Sequence, residues 1–345
     1  MKLLKKLTQT SGIAGREHRV RDLILKETKG FFDSVTVDPM GSIIGVKQPT
    51  IKPKRGSKPI KVMLAAHMDQ IGFMVRHIDD KGFLRLNAVG GFDTRNLFAR
   101  LLTVCTDSGD LVGVLNPAGR PVHIASPEDR KKIPEIQEFM VDLGLPADEV
   151  KAKVKIGDMA TLRAETVEVG KLVVGQCLDN RVACWIAICA LEKLSRHRCE
   201  IHCVFTVQEE VGLRGAGTAA FHVQPDIGIG IDTTLCVDTP GVPAEESVTQ
   251  SGAGATLTCM DGSYVSDLEV LERFESVAKK KKIRYQRSIL PRGGTDSGAM
   301  QRSAAGAKVM TLSCPTRYIH TVTEAVHRDD LYGCRDLLKA YLEDL

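Results

Sequence analysis

Short apolar runs of strand length recur along the chain, separated by stretches with helical periodicity. Lys61-Val62-Met63-Leu64-Ala65-Ala66, Cys203-Val204-Phe205-Thr206-Val207, Ile227-Gly228-Ile229-Gly230-Ile231 and Ala307 to Leu312 are continuous and apolar, as strands buried on both faces are. Around them, Arg16 to Lys29, Asn180 to Leu194 and Asp330 to Leu342 read as helices. Shorter strands are expected around Val35-Thr36-Val37 and Ile43 to Val46. The start, Met1 to Leu7, is basic but no continuous apolar stretch follows, so it reads as an amphipathic helix and not as a leader. Together these segments predict an α/β fold.

Residues 72–170 break the pattern. Phe83 to Leu86, Leu101 to Val104 and Leu111 to Leu115 are short strand-like segments between Gly and Asp turns, which predicts a β-rich insertion. One helix is predicted inside it, from Glu135 to Leu143, opened by Pro134 and closed by Gly144. The expected division is one α/β unit built from 1–71 and 171–345, interrupted by 72–170.

Composition excludes more than it selects. A chain of 345 residues, 43% hydrophobic and 26% charged, suits a globular enzyme of two domains. The longest apolar run, Val182 to Leu191, is about half of the ~20 residues that cross a bilayer, so no membrane span is expected. A net charge of +4 is small for this length and argues for no particular partner, and no nucleic-acid or membrane partner is expected. The basic clusters Lys52-Pro53-Lys54-Arg55 and Lys279 to Lys282 lack interleaved aromatics and read as solvated. Ten cysteines lie in apolar contexts with no C-x-x-C pair, which points to reduced core thiols and a cytoplasmic protein.

The candidate chemistry begins where Cys203 to Val207 runs on into Gln208-Glu209-Glu210-Val211-Gly212. Two adjacent carboxylates at the end of a buried strand are costly unless something positive waits there. Alternation along an extended chain should send Glu209 and Glu210 to opposite sides, one to bind a cation and the other to reach a water beside it. Further candidate ligands stand where strands are expected to end: His67 and Asp69 after Ala66, Asp179 before a helix, Asp232 after Ile231, and His320 after Arg317-Tyr318-Ile319. Asp69 could lock the His67 tautomer through its second ring nitrogen. In open α/β sheets ligands collect beyond the carboxyl ends of the strands, so scattered residues can share one crevice. Individually each has a plain alternative, Asp179 as a helix cap and His320 as a turn residue, but the set points to a metal hydrolase.

Other readings are weaker. Asp296-Ser297-Gly298 has the form of an aspartic-protease triplet without the second triplet such a dyad needs. Gly212-Leu213-Arg214-Gly215-Ala216-Gly217 has the wrong glycine spacing for a dinucleotide loop. A glycoside hydrolase would need two carboxylates ~5 to 9 Å apart across a sugar, which adjacent residues on opposite faces fit poorly. A non-catalytic metal-binding scaffold would have no use for Glu209.

The motifs His67-Met68-Asp69-Gln70-Ile71-Gly72, Leu178-Asp179-Asn180-Arg181, Gln208-Glu209-Glu210-Val211-Gly212, Gly294-Thr295-Asp296 and Arg317-Tyr318-Ile319-His320 resemble, in order and spacing, those of the M42 metallo-aminopeptidases, which include glutamyl and tetrahedral aminopeptidases. The resemblance runs along essentially the whole chain. It implies a three-layer α/β/α catalytic domain interrupted by a PDZ-like dimerisation domain, and an enzyme that removes N-terminal residues from short peptides. It further implies two divalent ions, zinc or cobalt or manganese: Asp179 bridging, His67 and Asp232 completing one site, Glu210 and His320 the other, and Glu209 as general base. Self-association into dimers or dodecamers is the implied assembly. Gln70, Ser297 and Thr321-Val322 depart from the family's usual Glu, Ala and Ser-Pro, beside the implied ligands and not at them.

Overall fold

The computed structural model describes residues 1–52 and 58–345, so most of the Lys52 to Arg55 cluster lies outside the described residues. The four buried runs become neighbours in an eleven-stranded sheet. Lys61–His67 lies between Glu200–Thr206 and Ile227–Leu235, parallel to both. Lys308–Arg317 continues the sheet, parallel to Ile227–Leu235. Antiparallel strands extend both flanks, Ile43–Lys47 and Ser34–Val37 on one side, then Glu324–His327, Leu172–Gly175 and Val167–Val169 on the other.

Side-chain alternation explains why these runs are continuously apolar. Val62, Leu64 and Ala66 point into a core shared with helices Lys2–Gln9, His18–Glu27, Leu178–Glu192, Leu268–Lys281 and Arg328–Asp344. Met63 and Ala65 point the other way, into a smaller core with Arg214–Val223 and Asp296–Gln301. With helices on both faces, neither side of the strand tolerates a polar residue until the chain reaches the sheet's end. The first polar side chain there is His67.

The middle of the chain forms a separate closed barrel from Gly72–Ile78, Leu84–Val89, Arg100–Thr106, Gly109–Pro117, Phe139–Asp142 and Met159–Leu162. Phe73, Leu86, Leu102, Val104, Phe139 and Val141 fill it. The helix expected from Glu135 to Leu143 is absent: a short 3-10 turn, Ile136–Glu138, leads into strand Phe139–Asp142. Buried Phe139 and Val141 alternate with outward Met140 and Asp142, a period of two that the flanking Pro134 and Gly144 disguised. The helix of this region is Ala147–Lys153, with Asp148 and Glu149 in its first turn and Lys151 and Lys153 in its last, the charge order that suits the helix dipole.

Candidate active site

The strand ends differ from expectation in ways that shape the site. Glu200–Thr206 stops before the two glutamates, and Gln208 turns the chain with φ 56°. Glu209 and Glu210 therefore sit on a turn, and both line one cleft instead of opposite faces. Gly215 lets the following helix close onto this turn, because a Cβ there would lie 2.4 Å from the Val207 carbonyl oxygen. Strand Ile227–Leu235 does not end at Asp232 as expected but runs past it. Its pairing with Lys61–His67 stops at Gly230, so Asp232 stands where the two strands part and the crevice opens.

Asp179 occupies the start of Leu178–Glu192 in an extended conformation, with φ −75° and ψ 106°, which frees its carboxylate from capping. Its Oδ1 lies 3.3 Å from His67 Nε2, and its Oδ2 lies 3.6 Å from His320 Nε2. His67 Nε2 is also 3.8 Å from Asp232 Oδ1 and 3.8 Å from Glu209 Oε2. His320 Nε2 is 3.4 Å from Glu210 Oε2. Two donor groups result, His67 with Asp179 and Asp232, and Asp179 with Glu210 and His320, each with ligand atoms within 4.8 Å of one another. His67, Glu209 and Glu210 form a third group whose ligand atoms lie within the same 4.8 Å.

Asp69 lies past the strand end. The Nδ1 of His67 is 3.2 Å from the Asp69 carbonyl oxygen and 3.5 Å from its carboxylate. That carboxylate is occupied otherwise: Oδ1 accepts the Glu209 N–H and Oδ2 the Glu210 N–H, both at 3.1 Å. Asp69 thus fixes the imidazole and the glutamate turn together.

Two positioning carboxylates were missing from the sequence reading. Glu324 is buried, and its Oε2 accepts the Asp179 N–H at 3.0 Å while Oε1 accepts the His320 N–H at 2.8 Å. Glu17 accepts the N–H groups of Gly15 and Gln208, tying the N-terminal segment to the glutamate turn. The available signal was a glutamate opening the short apolar strand that follows His320, a poor place for an unpaired acid.

Burial and concentrated charge perturb the two histidines and several of the carboxylates. Burial would lower His67, but Glu209, Asp179, Asp69 and Asp232 outweigh it and hold the imidazole well above its ordinary value. Burial opposes the rise at His320 too, where Glu210 and Asp179 carry it to about 9. Burial pushes Glu209 and Asp232 well above the carboxylate range, and Glu210 upward. Asp179 goes down despite its burial, because His67 and His320 flank it. Glu210 Oε1 and Asp296 Oδ1 are buried with no hydrogen-bond partner. Clustered carboxylate oxygens and imidazole nitrogens with orphaned oxygens are the donor set a divalent cation satisfies.

Cost is stored in the backbone as well. Cys177, Gln208, Leu213, Tyr318 and His320 all have positive φ at non-glycine positions around the cleft. Each such residue costs roughly 1 kcal/mol or more, and strain of this kind collects where geometry is held for function.

A sheet of this topology with carboxylates and imidazoles gathered at its strand ends defines a metal-dependent hydrolase. The profile of the M42 glutamyl aminopeptidase family matches residues 43–337, and the chain belongs to that family. It is an aminopeptidase, a hydrolase of peptide bonds. A protein of Acetivibrio thermocellus provisionally described as an aminopeptidase is 37% identical over 337 residues, covering 97% of this chain and 96% of the relative. The solved aminopeptidase of Desulfurococcus kamchatkensis superposes with a TM-score of 0.93 at 35% identity, covering 100% of this chain and 94% of that one. The Pyrococcus horikoshii TET1 peptidase, which can assemble into a tetrahedron or a large octahedral shell, has a TM-score of 0.88 at 31% identity, covering 100% and 99%.

Proposed function

We propose that the chain binds two divalent ions per subunit, zinc or cobalt with manganese a third option, and releases N-terminal residues from short peptides. His67 and Asp232 would hold one ion, Glu210 and His320 the other, with Asp179 shared. The observation that carries this reading is the placement of Asp179, whose two oxygens face the two histidines separately. When bound, such ions polarise the scissile carbonyl and acidify water.

The chain's own residues do the rest. Glu209 is the general base: it takes the proton of the attacking water and delivers it to the leaving amine, a role for a carboxylate beside the ions that is not itself needed to hold them. Asp69 keeps Glu209 and His67 in register. Its grip on both glutamate amides supports a positioning role, in which it orders the catalytic turn without touching substrate.

We further propose the division into a catalytic unit, 1–71 with 171–345, and an inserted PDZ-like assembly unit, 72–170. Since Val167–Val169 pairs within the large sheet, the second boundary fits better between Leu162 and Val167. Exposed Leu101, Val112 and Val114 on the barrel support self-association through it, into dimers and from them into shells like that of the Pyrococcus horikoshii peptidase. Ten free thiols favour a cytoplasmic setting.

The test is a mass-spectrometric time course on free and N-acetylated peptides, with metal-loaded and chelated protein. Stepwise, chelator-sensitive loss of N-terminal residues from free peptides alone is expected. Cleavage of acetylated peptides, or activity that survives chelation, refutes the reading.

A further inference from the structure

The cleft of about 510 Å³ beside the candidate metal ligands has two chemically distinct parts. Its acidic side chains are Asp179, Glu209, Glu210 and Asp232, and every one belongs to the donor groups or the catalytic turn. None is left to face a substrate side chain. The aliphatic part of the remaining wall is formed by Leu213, Leu235, Leu290 and Ile319, with the buried Thr233, Thr234 and Thr295 between them and the acidic part. Leu290 is buried, Leu213 and Ile319 are half-buried, and Leu235 is 37% exposed at the rim.

Gly293 and Gly294 form the adjoining stretch of wall, where side chains would narrow the cavity: a Cβ on Gly294 would lie 3.0 Å from the Ser263 Cβ and 3.8 Å from Leu213 Cδ1. Arg292 stands exposed beside them and, among the described residues, is the cleft's one cation other than the two histidines. An arriving lysine or arginine side chain at this wall would meet a guanidinium and aliphatic groups, the cleft's carboxylates being those assigned to holding ions and to base catalysis. A leucine or methionine side chain would meet complementary surface.

We infer that this cleft selects apolar N-terminal residues and rejects cationic ones, with Leu213, Leu235, Leu290 and Ile319 forming the side-chain subsite and Arg292 acting against positive charge. The inference rests on the aminopeptidase reading. Burial of a side chain in an apolar subsite discriminates by tens to a few hundredfold, and an unpaired charge is penalised further.

The experiment measures kcat/KM of the full-length, metal-loaded enzyme on Leu-, Met-, Glu- and Lys-4-nitroanilide, and competitive inhibition by free leucine and free lysine. Leu and Met are expected to exceed Lys by at least tenfold and to exceed Glu, with leucine the tighter inhibitor. R292E, at an exposed position, is expected to raise the Lys-to-Leu ratio about tenfold, on the scale of one charge reversal near a partly solvated site. Lys within threefold of Leu, or Glu foremost, overturns the inference while leaving the aminopeptidase intact. An unchanged ratio in R292E removes Arg292 from the account. Hydrolysis of none of the four refutes the underlying reading as well.

Discussion

Replacing Glu324 with glutamine keeps its size and removes one acceptor. The native carboxylate receives the Asp179 N–H on one oxygen and the His320 N–H on the other, so a single side chain tethers two backbone segments that carry candidate ligands. A carboxamide has one acceptor oxygen, and its NH2 group would face the second N–H. A buried N–H left without a partner costs about 1 to 3 kcal/mol. His320 is the segment most exposed to that loss, since its φ of 65° needs support and no glycine is there to relax it. If the cost falls on the bound arrangement of ligands, metal affinity should drop roughly 5- to 150-fold, at 1.4 kcal/mol per factor of ten. The assay strips metal from wild type and E324Q, titrates zinc or cobalt against a chelating indicator, and follows thermal unfolding of both metal-free proteins in parallel. A weakened affinity with native-like secondary structure is expected. Affinity within twofold of wild type, together with an unchanged unfolding temperature, would show that the tether does not order the ligands.

Glu209→Gln should retain metal content by elemental analysis and lose turnover by ~100-fold or more, because the carboxamide cannot accept the proton. Asp69→Asn leaves one of the Glu209 and Glu210 amides without its acceptor, and kcat/KM should fall ~10- to 100-fold while metal is still bound. Asp238 offers a pH test: the Arg317 guanidinium holds its carboxyl down to about 2, from an ordinary 3.8. A depressed folded value means the stabilisation is present above about 4 and is lost as pH falls toward about 2, so the gap in urea midpoint between wild type and D238N should be open at pH 7 and close across that window. Because the pair is partly solvated, the gap should be on the order of 1 kcal/mol or less.

The α/β core was legible because parallel strands covered on both faces leave a signature of consecutive apolar residues, as Val62 to Ala66 of Lys61–His67 does. The candidate donor residues stood out for the complementary reason, that a His or Asp following such a run has no packing role to fill. What stayed hidden depends on three-dimensional register. Phe139–Asp142 looked helical because its turn residues fit a helix as well as a hairpin, and only the barrel reveals which face of it is buried. The turn at Gln208, which brings Glu209 and Glu210 into one cleft, depends on Asp69 accepting both of their amides from a segment far away in sequence. Glu324 carries no motif at all, because its role is defined by two backbone N–H groups and no side chain specifies those.

The same electrostatics link the site to the chain's stability. Asp69, Asp179, Glu209, Glu210, Asp232, Asp296 and Glu324 crowd the strand ends, and burial drives most of those that shift upward. The chain's own positive groups offset this only in part. Arg181, fully buried beneath the site, donates to the carbonyls of Leu7, Thr10 and Gly12 and reaches Gln70 Oε1 at 3.5 Å, all neutral acceptors. It also pins the N-terminal segment whose Glu17 supports the glutamate turn. A buried acidic cluster of this kind is folded at a cost that divalent ions would relieve on binding, which couples metal affinity to folding stability. Stripping the metal should therefore lower the unfolding temperature as well as stop turnover, and the loss should be largest where Glu324, Asp69 and Arg181 hold the ligand-bearing segments together.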